Sequence, residues 1–205
     1  NPLVYVDPNG EDAMITIVGN TITITANIII YGTLATDALA ELYLQNIKET
    51  WGFLETYIFE GIEYELEWNI SVKAIQKELS ENDFQFDGKT NYMKVVEDGN
   101  ASFVEDSHKG EIRVSTNPNN NAMGHEFGHM MGMKDRYIKD TGFPISPEWN
   151  YNIMHDIRGA ADKMNMDYLL KNSLRAHFWN ERLNKSFVSP TIKTIYHINK
   201  TNRER

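Results

Sequence analysis

Two histidines four residues apart, with a glutamate directly after the first, stand in the stretch "AMGHEFGHMMGMKDRY", residues 122 to 137. On a helix, His125 and His129 project from one face, one turn apart. Two neutral imidazoles that converge in this way suit zinc, which takes nitrogen ligands at about 2.0–2.1 Å. Glu126 cannot share the direction of His125, so it falls beside the ion, where a carboxylate can accept a proton from water as general base. A catalytic zinc needs a third protein ligand and one open position. Gly132 can end the helix by taking φ > 0, and the chain can then turn back to bring Asp135 to the ion. The expected metal ligands are therefore His125, His129 and Asp135, with Glu126 as the catalytic base of a metal-assisted hydrolase.

The competing account is an amphipathic helix with incidental histidines. H-E-x-x-H arises by chance in on the order of half a percent of chains this long, and the added Gly and Asp make coincidence roughly a few hundredfold rarer. The pattern favours the metal. Asp140, Glu148 and Asp156 are the fallback third ligands. His155 adjoins Met154 and is expected to point away from the metal, and His108, His177 and His197 lack ligand-like spacing.

Something must hold this helix. "AMITIVGNTITITANIIIYG" alternates apolar and Thr residues around Gly19-Asn20, which predicts a β-hairpin with Ile15 and Ile17 across from Ile22 and Ile24. "LATDALAELYLQNIKETWG" places Leu34, Ala38, Leu42, Leu44, Ile47 and Trp51 at near-helical spacing, with Gly52 as the stop. "IEYELEWNISV" and "NYMKVVED" read as strands, with a short helix expected in "VKAIQKELSEND" between them. "SFVED" and "EIRVST" read as a strand pair around residues 107–110, and "NPNNN" as the turn-rich approach to the motif helix. Residues 140–160 are Pro- and Gly-punctuated loop, and "ADKMNMDYLLKNSLRAHFWNERL" reads as a last helix. The fold class is α+β: a twisted mixed sheet, a long packing helix, the helix bearing HExxH, and a C-terminal helix in one domain.

Composition sets the bounds. The 205 residues, 41% apolar and 24% charged, are enough for one domain with a sizeable core. A formal charge of −9 offers no basic surface to nucleic acid, and the basic "NKTNRER" from Asn199 to Arg205 reads as a solvated end. No cysteine is present, so disulfides, thiolate ligands and cysteine nucleophiles are excluded. "NIIIYG", the longest apolar run, is far too short to span a bilayer. The chain opens on Asn1 with no signal segment and reads as a piece of a longer polypeptide.

"HEFGHMMGMKD" resembles the metzincin clan of zinc metallopeptidases, whose pattern is H-E-x-x-H-x-x-G-x-x-H followed by a methionine turn. Asp135 stands where that pattern has its third histidine, as in the snapalysin-like peptidases. The resemblance implies a zinc-dependent endopeptidase, with Met154 of "YNIMHD" as the apolar floor beneath the ligands. Many relatives carry a tyrosine two residues beyond that methionine; here the position is Asp156, which leaves Tyr151 or Tyr137 as the tyrosines that could steady an oxyanion. It also implies that "GEIRVST" runs along the cleft and pairs with an extended substrate, although an ordinary edge strand reads equally well.

"NPLVYVDPNGED" reads as an extended piece followed by a turn at Pro8-Asn9-Gly10. It is also similar to the peptide that closes the shell of RHS-repeat proteins, after which a variable toxin domain follows. This implies a boundary peptide over residues 1–12 and a single zinc metallopeptidase domain over 13–205. It further implies export within a larger polypeptide, action outside the producer or inside a target cell, and an immunity protein as partner besides the protein or peptide substrate. Two alternatives stand beside this reading. One is a protease that processes its own parent chain; the other is a non-catalytic binding module stabilised by zinc. Hydrolysis of a non-peptide amide also fits the motif.

Overall fold

The computed structural model describes residues 3–4, 13–52, 54–85, 87–97, 102–105, 108–114, 121–171 and 194–197. Strands β1 (Leu3–Val4), β2 (Met14–Val18) and β3 (Thr21–Tyr31) come first, and β2 and β3 form the expected hairpin. Gly19, at φ 58, takes the left-handed position of its two-residue turn. Ile15 faces Ile24 and Ile17 faces Ile22, so one register buries all four isoleucines while the threonines between them face away. Each fully buried isoleucine contributes about 1.5–3 kcal/mol relative to exposure.

Helix α1 (Asp37–Trp51) is capped by the Thr36 side chain, which accepts from the Leu39 N–H, and it ends at Gly52. Its buried face is Leu39, Ala40, Tyr43, Asn46, Ile47, Thr50 and Trp51. Ile47 and Trp51 lie where the spacing put them, but Ala38 is exposed and Leu34, Leu42 and Leu44 lie at the margin. The stripe is rotated because two of its members, Asn46 and Thr50, are polar and mask the period.

β4 (Thr56–Phe59) and β5 (Ile62–Ile75) form a second hairpin through Glu60 and Gly61, both at positive φ. β5 runs parallel to β3 along the whole of Thr21–Tyr31. The other edge of β3 is therefore divided. β2 occupies Thr21–Thr25, and β6 (Thr90–Val96) runs parallel to Asn27–Tyr31. At the handover the Asn27 N–H donates to Lys89 O at 2.7 Å, and Asn27 Oδ1 accepts from Ser71 Oγ at 2.9 Å. The helix expected in "VKAIQKELSEND" is not formed: β5 pairs on to Ile75, and a single 3-10 turn, Glu81–Asp83, follows a Ser80 cap.

β8 (Lys109–Arg113) lies parallel to β6, and β7 (Phe103–Glu105) lies antiparallel to β8. Of the segment expected to offer its edge to a substrate, Gly110 and Glu111 are paired on both sides, Ile112 and Arg113 pair with β6, and β7 is the outer strand. Helix α2 (Ala122–Met130) sits against α1 and next to β7. Helix α3 is described over 163–171; the rest of the expected C-terminal helix lies outside the described residues. β9 (Thr194–His197) pairs with β2, and β1 pairs with β9.

The result is the mixed α and β architecture expected, with one core formed by the sheet, α1, α2 and α3. Of the expected boundary peptide only the backbone of β1 is described, and the basic end lies outside the described residues. No helix among the described residues is long and apolar enough to cross a membrane.

Candidate metal centre

Helix α2 is seated through its glycines. A Cβ on Gly124 would collide with the Thr50 side chain of α1, and one on Gly128 with the Met154 thioether. The Trp51 indole N–H donates to Gly124 O at 2.8 Å, and the Trp51 ring meets Phe127 edge-on at 5.8 Å between centroids. The glycine face lies against the core, which leaves the histidine face free to converge. The helix then stops as expected. Gly132 takes φ 80; its N–H donates to His129 O at 2.8 Å and the Met133 N–H to Gly128 O at 2.9 Å, closing a Schellman cap.

The cap brings three side chains together. His125 Nε2 and His129 Nε2 are 3.0 Å apart, and each is 3.2 Å from Asp135 Oδ1. The outer nitrogens are already used: His125 Nδ1 lies 2.7 Å from Ile153 O and His129 Nδ1 2.8 Å from Met133 O. A carbonyl only accepts, so both Nδ1 atoms carry hydrogen and, in the neutral rings, both Nε2 atoms present lone pairs. Three acceptors then face one another, and Asp135 Oδ1 has no hydrogen-bond donor.

Such a triangle calls for positive charge at its centre. A proton can bridge two of these atoms, whereas a metal ion bonds all three. Donors at about 2.0–2.1 Å from a tetrahedral ion lie roughly 3.3 Å apart, close to the spacing seen. Burial alone would lift the Asp135 carboxyl; with protons on the facing His125 and His129 nitrogens the balance reverses and holds it well below the usual carboxylate range, so positive charge at this point is what keeps Asp135 ionised. Among the described residues this trio is the group of three His or carboxylate side chains close enough to hold a metal ion.

Glu126 is 3% exposed, and its Oε2 has no partner. Burial pushes its carboxyl up to about 7, against the pull of His125 and with the help of the Asp135 charge. Tyr137 completes the surroundings. Burial, together with the nearby Asp135 and Glu126 charges, raises the pKa of its hydroxyl. Tyr151 is 77% exposed, so of the two tyrosines weighed from the sequence only Tyr137 stands at the centre. The available signal was its position two residues beyond Asp135, inside the same returning loop.

Met154 is fully buried beneath α2, against Gly128, and its carbonyl accepts the Arg136 N–H at 2.8 Å. One turn thus supports His125 through Ile153 O and anchors the Asp135 loop through Met154 O. The fallback ligands are elsewhere. Asp140 and Glu148 are exposed, Asp156 is paired with Arg158 at 2.7 Å, and His155 Nε2 meets Gly142 O at 3.2 Å. His108 is outside the cluster; His177 and the side chain of His197 lie outside the described residues. Comparison of the whole chain with protein-family models, curated proteins and solved structures finds no match.

Proposed function

We propose that this protein is a zinc-dependent peptidase that hydrolyses peptide bonds, with His125, His129 and Asp135 holding the ion and Glu126 as general base. The observation that carries the reading is the triangle of three lone-pair atoms, with the free oxygen of Glu126 belonging to a buried neighbour. Two imidazoles and one carboxylate form a donor set that suits zinc and leaves its fourth position open. A zinc ion held there supplies Lewis-acid chemistry, polarising a carbonyl and acidifying water.

The side chains do the rest. Glu126 takes up a proton from water at its unpartnered Oε2 and passes it to the nitrogen of the leaving amine. Tyr137 offers its O–H to the substrate oxygen as negative charge builds there. The Ile153 and Met133 carbonyls hold the imidazole tautomers, so the ligand nitrogens need not lose a proton to bind. β7, the outer strand beside α2, is the edge to which an extended peptide would add as a further strand. The likeness of "NPLVYVDPNG" to the RHS boundary peptide supports a delivered toxin with an immunity protein as partner.

The test pairs metal analysis with peptide cleavage on the wild type, Glu126→Gln and Asp135→Ala. The reading expects about one zinc per chain, as a three-ligand site holds. Glu126→Gln is expected to keep the metal and lose cleavage, and Asp135→Ala to lose both. Full zinc and activity in Asp135→Ala would sink the ligand assignment. Zinc without cleavage of any peptide would favour a binding module.

A further inference from the structure

Both metal-facing histidines lean on backbone carbonyls, which no substitution can remove. What orients them is therefore whatever holds the loops carrying Met133 and Ile153. One side chain reaches both loops. Asn165, on α3 and fully buried, donates from Nδ2 to Met133 Sδ at 3.4 Å and to Asn152 Oδ1 at 3.3 Å. Its Oδ1 accepts from Asn152 Nδ2 at 2.5 Å and from the Asp162 N–H at 2.9 Å. All four hydrogen-bonding positions of the amide are thus used. Asn152, itself 1% exposed, also accepts the Met154 N–H at 3.0 Å, which closes the turn that presents Ile153 O to His125.

We infer that Asn165 is a positioning residue for the metal centre: its amide sets the separation of the two loops whose carbonyls aim His125 and His129 at their common point. The inference rests on the metal reading above. A second contact from the same helix acts in the same sense. One turn on, the Tyr168 hydroxyl donates to Gly132 O at 3.2 Å, and the Arg136 guanidinium stacks at 5.2 Å from the Tyr168 ring and 4.7 Å from that of Trp149. Helix α3, remote in sequence from the HExxH motif, thereby grips the ligand loop beside both Gly132 and Asp135. An apolar residue at 165 would fill the same space between Met133 and Asn152 but could not fix their spacing. It would also leave the buried Asn152 amide short of partners.

The experiment compares zinc affinity, by competition with a chelating dye, and the visible absorption bands of the cobalt-loaded protein. It uses the wild type, Asn165→Asp, Asn165→Ser and a core variant, Ile28→Ala. Asn165→Asp keeps the oxygen that accepts from Asp162 but loses both donors. Both Asn165 variants are expected to bind zinc roughly 10- to 100-fold more weakly, with shifted cobalt bands. Ile28→Ala, on strand β3 of the sheet, is expected to lower the unfolding midpoint at least as much yet stay within about twofold of wild-type affinity. Folded Asn165 variants within about threefold of wild type, with unchanged bands, would overturn the inference. If neither variant folds, Met133→Leu, a near-isosteric change that deletes one arm of the network, carries the test. Unmoved cobalt bands in that variant would count against the positioning role. A wild type that binds neither metal overturns the centre itself, which is a different failure.

Discussion

The sheet and the loops around residues 131–165 hold their shapes by different means. In the sheet, Ile15, Ile17, Ile22, Ile24, Ile28 and Ile30 are fully buried at alternate positions, and what matters is their period and volume. In the loops, position depends on individual atoms: a Gly132 φ of 80, the Ile153 and Met133 carbonyls, and two buried asparagine amides. The first region tolerates shape-conserving exchange, and the second does not. Stability and chemistry should therefore separate under mutation.

The largest separation is expected from a crossed pair. His129→Ala should weaken zinc binding by well over roughly 100-fold while leaving the metal-free protein folded, because it deletes a ligand rather than a loop support. Ile28→Ala should do the reverse, costing about 2–5 kcal/mol in denaturant unfolding with metal affinity intact. Loss of zinc binding in folded Ile28→Ala would break the comparison.

A pH series sharpens it. The Glu126 carboxyl is raised from 4.5 to about 7 by burial, so the folded chain holds that proton more tightly than the unfolded one. In metal-free protein its contribution is therefore most favourable below pH 4.5 and falls as pH rises through 7. The full loss, present above 7, is roughly 3 kcal/mol. Glu126→Gln should remove this slope and gain on the wild type between pH 4.5 and 7; parallel unfolding curves would contradict it.

Smaller effects come next. Tyr137→Phe should lower kcat by up to roughly 10²-fold with little change in zinc affinity. An effect confined to KM would remove the hydroxyl from the chemistry. Gly128→Ala, which drives a methyl into the Met154 thioether, should cost about 1–3 kcal/mol. Pairing it with Met154→Ala should recover part of that loss in thermal melts.

The sequence carried the sheet hairpin down to its residue pairs, because alternation admits one register about Gly19-Asn20. It carried the clustering of His125, His129 and Asp135 as well, since one helical turn and one glycine fix where the three can meet. The face of α1 was less readable. Asn46 and Thr50 are buried there, Thr50 against Gly124, and a polar residue interrupts an apolar period. The pairing of "SFVED" with "EIRVST" was readable from the short link between them, but nothing local told that β6 would take the other edge of β8 and leave β7 outermost. Gly124 and Gly128 did leave a signal, four apart and each one residue ahead of a histidine, but its meaning depends on Thr50 and Met154, distant along the chain. Asn165 left none, because an amide's partners are settled only by the folded loops.

β3 has one more property. The Asn27 amide points to β6 and the Asn20 carbonyl to β5, so successive groups along this 11-residue strand address opposite edges. Deuterium exchange at Thr21, Thr23 and Thr25 therefore senses the departure of β2, and at Asn27, Ile29 and Tyr31 that of β6. The even-numbered amides between them sense β5. A single strand, read amide by amide, thus serves as a built-in clock for the order in which three neighbours let go.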